Sequence, residues 1–333
     1  MAAISALLIL AVLIVVSMVG TGMADLDFLF GVVFPYAAIL IFLVGFIYRI
    51  IRWAQSPVPF KITTTCGQQK SLDWIKDSPF EAPHSKLAVI GRMLMEILFF
   101  RSLFRNTKVD LKKDGPRVVY GGSKWLWLAG LAFHWSFLII LLRHYRFFAD
   151  PVPFFVSGIE SLDSFFQIGL PLFYITDAII LIALTYLFLR RVADPKMRFI
   201  SLGSDYFALF LLLAIGVTGV LMRYTPMRVD IISIKELAMG LVSLKPVVPA
   251  DIGSIFYIHL FLVSVLFAYF PFSKLMHMGG VFMSPTRNMA NDNRVKRHVN
   301  PWDYPVKTHT YEEWEDEFRE LMRAAGMPLE KEK

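Results

Sequence analysis

Residues 125–148 of this 333-residue chain read WLWLAGLAFHWSFLIILLRHYRFF. The stretch is long and apolar enough to cross a bilayer, whose hydrocarbon core takes ~20 apolar residues as helix. In lipid it must be helical, because each backbone group has to find its partner within the segment. Yet it carries His134 and His144, ten positions apart. A second apolar stretch, Ile252 to Phe272, holds His259, and His277 follows eighteen positions later. A membrane interior penalises ionisable side chains, so those that persist there have a task. Neutral imidazole is a favoured axial ligand for haem iron. Two histidines on each of two segments point to two bis-histidine haems.

The rest of the chain fits an all-α integral membrane protein. It is 56% hydrophobic and 18% charged, far more apolar than a soluble domain. Six transmembrane helices are expected, at about 4–21, 28–50, 124–147, 165–189, 204–223 and 252–273. The single cysteine, Cys66, excludes an internal disulfide and any cluster held by cysteines of this chain alone. Iron–sulfur chemistry would have to sit on a partner. No nucleotide-binding loop, nucleophile triad or metal-thiolate spacing is present.

A net charge of +7 resembles an invitation to nucleic acid until the charges are placed, and no nucleic-acid partner is expected. Twelve Lys or Arg lie in Ile51–Gly121, four in Arg190–Gly203 and ten after Phe272, whereas Thr21–Leu26 and Ala149–Ser164 have none. Tyr224–Asp251 has only Arg228, Lys235 and Lys245. By the positive-inside rule both termini are cytoplasmic, with six crossings of a prokaryotic inner membrane. Ala2–Gly20 reads as a retained helix rather than a signal peptide, with no basic residue before it and no clear cleavage site. The expected organisation is a transmembrane hairpin at 1–50, a basic cytoplasmic loop at 51–121, a four-helix dihaem-binding bundle at 122–277 and a cytoplasmic tail with an amphipathic helix at 278–333.

Helices 1 and 2 close through the acidic turn Ala24-Asp25-Leu26-Asp27 and suggest no chemistry. The loop leaves the membrane through Ser56-Pro57-Val58-Pro59, where proline enforces an extended path. Its Ala88–Phe100 has a helical pattern, followed by Arg101, Arg105, Lys108, Lys112 and Lys113, a string that suits lipid headgroups or a docking partner. Asp177 is expected near mid-membrane in helix 4, facing a hydrogen-bond partner or an aqueous path. Gly216-Val217-Thr218-Gly219 in helix 5 permits close approach of a helix or a macrocycle. The tail has turn residues at Pro285, Asn288, Asn291 and Pro301, then a helical pattern over Tyr311–Ala325 with Trp314, Phe318, Leu321 and Met322 on one face. That face needs a cover, from a partner or from this chain's own loop.

Helical geometry bears on the histidines. At 100° and 1.5 Å per residue, His259 and His277 project from the same face with a rise of about 27 Å, while His134 and His144 differ by about 80° and about 15 Å. The average implies an iron separation near 21 Å, the mismatch being absorbed by tilt or by bending at Pro271. Three crossings separate the two helices, so they run antiparallel. His134 then pairs with His277 on the cytoplasmic side, and His144 with His259 on the outer side. The remaining histidines, His84, His298 and His309, lie in polar segments.

These doublets resemble those of the cytochrome b (gamma) subunit of respiratory nitrate reductase. A closer resemblance, to the DsrM branch of membrane cytochromes b from the sulfite-reduction-associated Dsr complex, rests on Gly67-Gln68-Gln69-Lys70-Ser71-Leu72, Arg101-Ser102-Leu103-Phe104-Arg105-Asn106-Thr107, Lys235-Glu236-Leu237-Ala238-Met239-Gly240 and the run from Phe270 to Asn291. The nitrate-reductase relative has five helices, which makes helix 1 an addition. The resemblance implies an oxidoreductase subunit with two haem b and quinone as substrate. It implies as partners a DsrK-like, heterodisulfide-reductase-like iron–sulfur subunit in the cytoplasm, the other subunits of the Dsr membrane complex, and the small cysteine protein DsrC at the end of the path. That family places a lysine at its outer quinol site, but Ala149–Asp163 contains none. Arg143, Arg146 and Asp163 are the substitutes by position, and Arg223 is placed to meet a haem propionate if helix 5 ends beside the outer haem.

Two other readings stand beside this one. A cofactor-free transporter or proton channel would use the intramembrane histidines and Asp177 as a relay and would purify colourless. A structural anchor would offer only the basic loop and the tail to a cytoplasmic enzyme.

Overall fold

A computed structural model describes residues 2–56, 67–105, 107–112, 117–164, 171–294, 305 and 307–331. Pro57 to Pro59, Cys66, Lys113, residues 165–170 of the expected fourth helix, His298 and Pro301 lie outside the described residues.

The chain opens with α1, Ala2–Gly22, and a π-helical turn, Leu29–Val33, that leads into α2, Phe34–Ala54. Next come α3, Lys86–Phe99, and α4, Arg101–Arg105. An antiparallel hairpin follows, β1 Thr107–Lys112 with β2 Arg117–Gly122, in the register Val109 opposite Tyr120. It is a departure from the expected all-α fold. Beyond it lie α5, Lys124–His144, α6, Phe154–Asp163, α7, Ile175–Ala193, α8, Pro195–Ile200, and α9, Gly203–Tyr224. The chain ends with α10, Ile231–Val242, α11, Ser254–Tyr269, the short α12, His277–Gly280, and α13, Pro285–Asn288, and finally α14, Tyr311–Ala324.

Among the described residues five helices are long and apolar enough to cross a membrane: Ala2–Gly22, Leu29–Ala54, Lys124–Phe147, Gly203–Tyr224 and Ser254–Phe272. The helix expected at 165–189 is displaced, since residues 172–174 are not helical and α7 begins at Ile175. Pro171 opens a non-helical stretch, residues 171–174, and Asp177, Arg190 and Arg191 put three charges within the 19 residues of α7. Asp177 therefore sits in the first turn of α7, not at the middle of a span.

Apolar faces knit these helices together. Leu10 of α1 packs with Leu211 of α9 and Leu262 of α11, all three buried. Phe30 meets Phe261 edge-on at 5.1 Å, in a cluster completed by Leu237, Ile252 and Tyr257. A third cluster joins Ile180 and Leu184 of α7 to Leu212 of α9. Aromatic pairs in this geometry add about 0.5–1.5 kcal/mol beyond their burial. Helices α1 and α2 thus belong to the same packed bundle as α9 and α11. Helix α10 folds back onto the Phe30–Tyr257 cluster through Leu237, and Tyr36 donates to Leu241 O at 2.8 Å.

Candidate functional site

The four span-associated histidines form two pairs. The rings of His134 and His277 have centroids 5.9 Å apart and nearly perpendicular planes, at 82°. Those of His144 and His259 are 6.4 Å apart and nearly parallel, at 10°. In three of the four, Nδ1 lies on a backbone carbonyl: Gly130 O at 2.7 Å for His134, Ile140 O at 2.7 Å for His144 and Lys274 O at 2.8 Å for His277. A carbonyl only accepts, so Nδ1–H donates and Nε2 carries the free lone pair. His259 reaches the same state through Thr218. The Thr218 hydroxyl donates to Ala214 O at 2.8 Å and accepts from His259 Nδ1 at 2.8 Å.

His277 reaches its place by a break in the chain. Helix α11 ends at Tyr269, and Ser273 is extended, with φ −116° and ψ 175°. The continuous-helix geometry expected for His259 and His277, and the iron separation averaged from it, therefore do not apply, because Pro271 and Ser273 interrupt the i to i−4 ladder. What remains is the α5 spacing, about 15 Å of rise between His134 and His144. The segment is held from behind by α2. A Cβ on Gly45 would lie 2.7 Å from Pro271, and one on Gly279 would lie 2.8 Å from Ile50. Hydrophobicity alone marked α2 as inert, and only these close approaches reveal its role.

Beside His144 lies a buried polar cluster. Arg143 is 7% exposed, with Nη2 2.5 Å from Asp177 Oδ1 and Nε 3.2 Å from Asp163 Oδ2. Asp163 accepts from Thr176 N at 2.9 Å and Thr176 Oγ1 at 2.6 Å, so it places negative charge at the N-terminus of α7, where the helix dipole favours it. Tyr224 donates to Asp177 Oδ2 at 2.9 Å. Arg223 donates to Leu172 O at 3.0 Å, and the guanidinium groups of Arg143 and Arg223 lie over the Tyr174 ring at 3.7 and 4.0 Å. Arg146 stands apart from this cluster, paired with Glu160 at 2.8 Å. Of the positions expected near the outer quinone, the structure joins Arg143 to Asp163 and gives Arg146 a different acid. Tyr174 and Glu160 went unnoticed in the sequence because each becomes significant only when α6 and α7 meet α5.

Comparison with known proteins decides the family. Residues 103–298 match the family model described as nitrate reductase gamma subunit, more than half the chain. This chain belongs to the nitrate reductase gamma-subunit family. Two curated relatives are alike over most of their length. A protein of Archaeoglobus fulgidus named Hdr-like menaquinol oxidoreductase cytochrome b-like subunit is 50% identical over 282 residues, 83% of each chain. A protein of the same name from Archaeoglobus profundus is 43% identical over 276 residues, 81% of each. Both carry the Hdr-like name rather than that of the Dsr subunit the sequence resembles.

The gamma-subunit match spans all four paired histidines. Two imidazoles bound through Nε2 to one metal from opposite sides, at about 2 Å each, stand with ring centres about 6 Å apart. Both observed separations fall beside that value. Metal-ligating histidines characteristically give their other N–H to a carbonyl or similar acceptor, which fixes the tautomer, and all four here do so. A Cβ at Gly219 would make only ordinary contact with His259 Cε1, at 3.6 Å, whereas one at Gly216 would crowd Leu181 at 3.0 Å. The residues present therefore fit a bis-histidine cofactor at each pair. Among the described residues no three His, Cys, Asp or Glu gather into a cage for a bare ion.

Proposed function

We propose that this chain is the dihaem b membrane subunit of a respiratory complex, exchanging electrons between menaquinone near the outer face and a cytoplasmic Hdr-like iron–sulfur subunit. The observation that carries the reading is the pair of histidine pairs, each with Nε2 free and ring centres 5.9 and 6.4 Å apart. His134 and His277 would hold one haem, His144 and His259 the other. Haem bound at each pair would supply a one-electron carrier.

Each residue around the pairs then has a role. Gly130 O, Ile140 O, Lys274 O and the Thr218 hydroxyl set the imidazole tautomers. Arg143, held between Asp163 and Asp177, forms the wall of the quinone site at the His144 end. Arg146 with Glu160, its side chain 38% exposed, is the polar pair open to a quinone head group. Arg223 stands at the same end, over Tyr174. The proposed topology has six crossings, α7 being the sixth, with both termini in the cytoplasm of a prokaryote. In the finer reading the partner is DsrK-like, the complex is of the Dsr type, and electrons pass on to DsrC in dissimilatory sulfur metabolism. The relatives' name supports the menaquinol and Hdr-like parts of this assignment.

The test is replacement of each histidine by alanine with visible spectroscopy of the purified chain. Each variant is expected to lose one of two low-spin b-type signals, His134→Ala and His277→Ala losing the same one. Full retention of both signals in all four variants would overturn the ligand assignment. In His134→Ala and His277→Ala, which keep the outer haem, a menaquinol analogue should still reduce it, and failure to do so would remove the quinone from that place.

A further inference from the structure

We propose that α3 and α4 form a re-entrant helical hairpin that dips into the leaflet at the Lys124 end of the bundle, its exposed face bathed by lipid acyl chains. The inference rests on α5 crossing the membrane and is independent of the haem reading.

The first observation is that α3 is inside out for a helix in water. Beyond Lys86 its exposed positions are apolar, with Leu87 at 80%, Ile90 at 56% and Leu94 at 51% exposure, spaced as one stripe, while Arg92 is only 6% exposed. Glu96, the other charge past the first turn, bonds the Ser102 backbone N–H at 3.2 Å and the Ser102 hydroxyl. An aqueous helix buries its apolar stripe and solvates its charges. The reverse arrangement suits hydrocarbon, where a charge is expensive unless it is taken inward and bonded. Lys86, at the first position of α3, is placed where a lysine reaches the headgroups.

The second observation is depth. The last carbonyls of a helix have no intrahelical donor, and in lipid such groups must be satisfied by the protein. Leu98 O accepts from the Trp135 indole at 3.0 Å and Phe99 O from the Trp127 indole at 2.7 Å, both on α5. Phe100, left-handed at φ +50°, makes the corner into α4. Its ring stands 4.9 Å from His134, which lies about 15 Å of helix rise from Lys124, against a hydrocarbon core of about 30 Å. The corner therefore sits well below the membrane surface, and α4 brings the chain back out. Arg101, which directly follows the corner, pairs with Glu81 at 2.7 Å, and Arg105 at the far end of α4 pairs with the same carboxylate, so both charges are bonded within the protein. The lipid-facing stripe of α3 continues that of α5, where Trp135 and Leu138 are also exposed. The basic segment 51–121 is thus not wholly a cytoplasmic loop.

Spin labels placed by Leu94→Cys and, separately, Ile90→Cys in a Cys66→Ser full-length chain, reconstituted in phospholipid nanodiscs, test this. Collision with oxygen should be high and with a water-soluble nickel chelate low, giving an oxygen-to-nickel ratio several-fold above that of the same label at Glu320→Cys. A ratio equal to that of Glu320→Cys would place α3 in water and overturn the proposal. Low collision with both reagents would mean that protein covers the stripe and would overturn it equally. The two positions lie on one stripe, so either one that folds decides the matter.

Discussion

At the residue scale, Arg143 is held by several groups at once. Its guanidinium answers two carboxylates, the buried Asp163 and the half-buried Asp177, and truncating one member of a buried ionic set leaves uncompensated charge at a cost of about 3–5 kcal/mol. Arg143→Ala is expected to lower the thermal midpoint of the detergent-solubilised chain markedly, whereas Arg146→Ala, whose side chain is 38% exposed, should leave it almost unchanged. Equal effects in the two would contradict the division made here between wall and open face. The histidines were legible in the sequence because an imidazole within a span is costly enough to need a reason. The cluster was not, since Asp163, Thr176 and Tyr224 look ordinary until three helix ends converge. Asp177 was visible as an oddity but was placed too deep, because Pro171 and the start of α7 moved it to a first turn.

Elements carry the next set of consequences. The His277 segment is supported by α2 through glycines at 45 and 279. Gly45→Ala inserts a methyl into Pro271, an overpacking that costs about 1–3 kcal/mol. It should weaken the haem signal shared by His134 and His277 while sparing the other, as a redox-resolved spectrum would show. Loss of both signals together would mean that α2 supports the whole bundle rather than this one segment. Nothing in the composition of α2 announces that task; a glycine among apolar residues is visible in a sequence, and what it lies against is not.

The terminal α14 was readable in outline, its apolar spacing and its Thr310 capping box with Glu313 both marking a helix. What was hidden is that residues 326–331 fold back on it. Glu315, 2% exposed, accepts from Glu330 N and Lys331 N at 2.8 and 3.2 Å. The bond from Glu330 N–H, with that from Lys331, holds the Glu315 carboxyl below its ordinary pKa. A depressed folded-state pKa means that its stabilisation is complete above the ordinary glutamate value, about 4.3, and is lost as pH falls through the lower folded value. The amide resonances of Glu330 and Lys331 should therefore shift together in acid, with a midpoint below that of free glutamate, and Glu315→Gln should abolish the shift. A midpoint at the ordinary value would remove the fold-back from the account. Leu321, 67% exposed, keeps part of the apolar face of α14 open.

For the whole molecule, a bundle of apolar helices was evident from hydropathy alone, and the antiparallel relation of α5 and α11 was enough to choose which histidines meet. The chain path around those helices was less visible. The displaced α7, the break after Tyr269 and the β-hairpin arise from local punctuation or tertiary contact that hydropathy averages away. Among the described residues five helices have the length and composition of membrane spans, and the family match across residues 103–298 covers both histidine pairs. The central claim is that this one chain holds two haems. Pyridine haemochrome quantification against amino-acid analysis of the purified chain, with a reduced-minus-oxidised spectrum, tests it most directly. The account predicts two b-type haems per chain, both low-spin. A colourless protein, or one haem per chain with both histidine pairs intact, would contradict it.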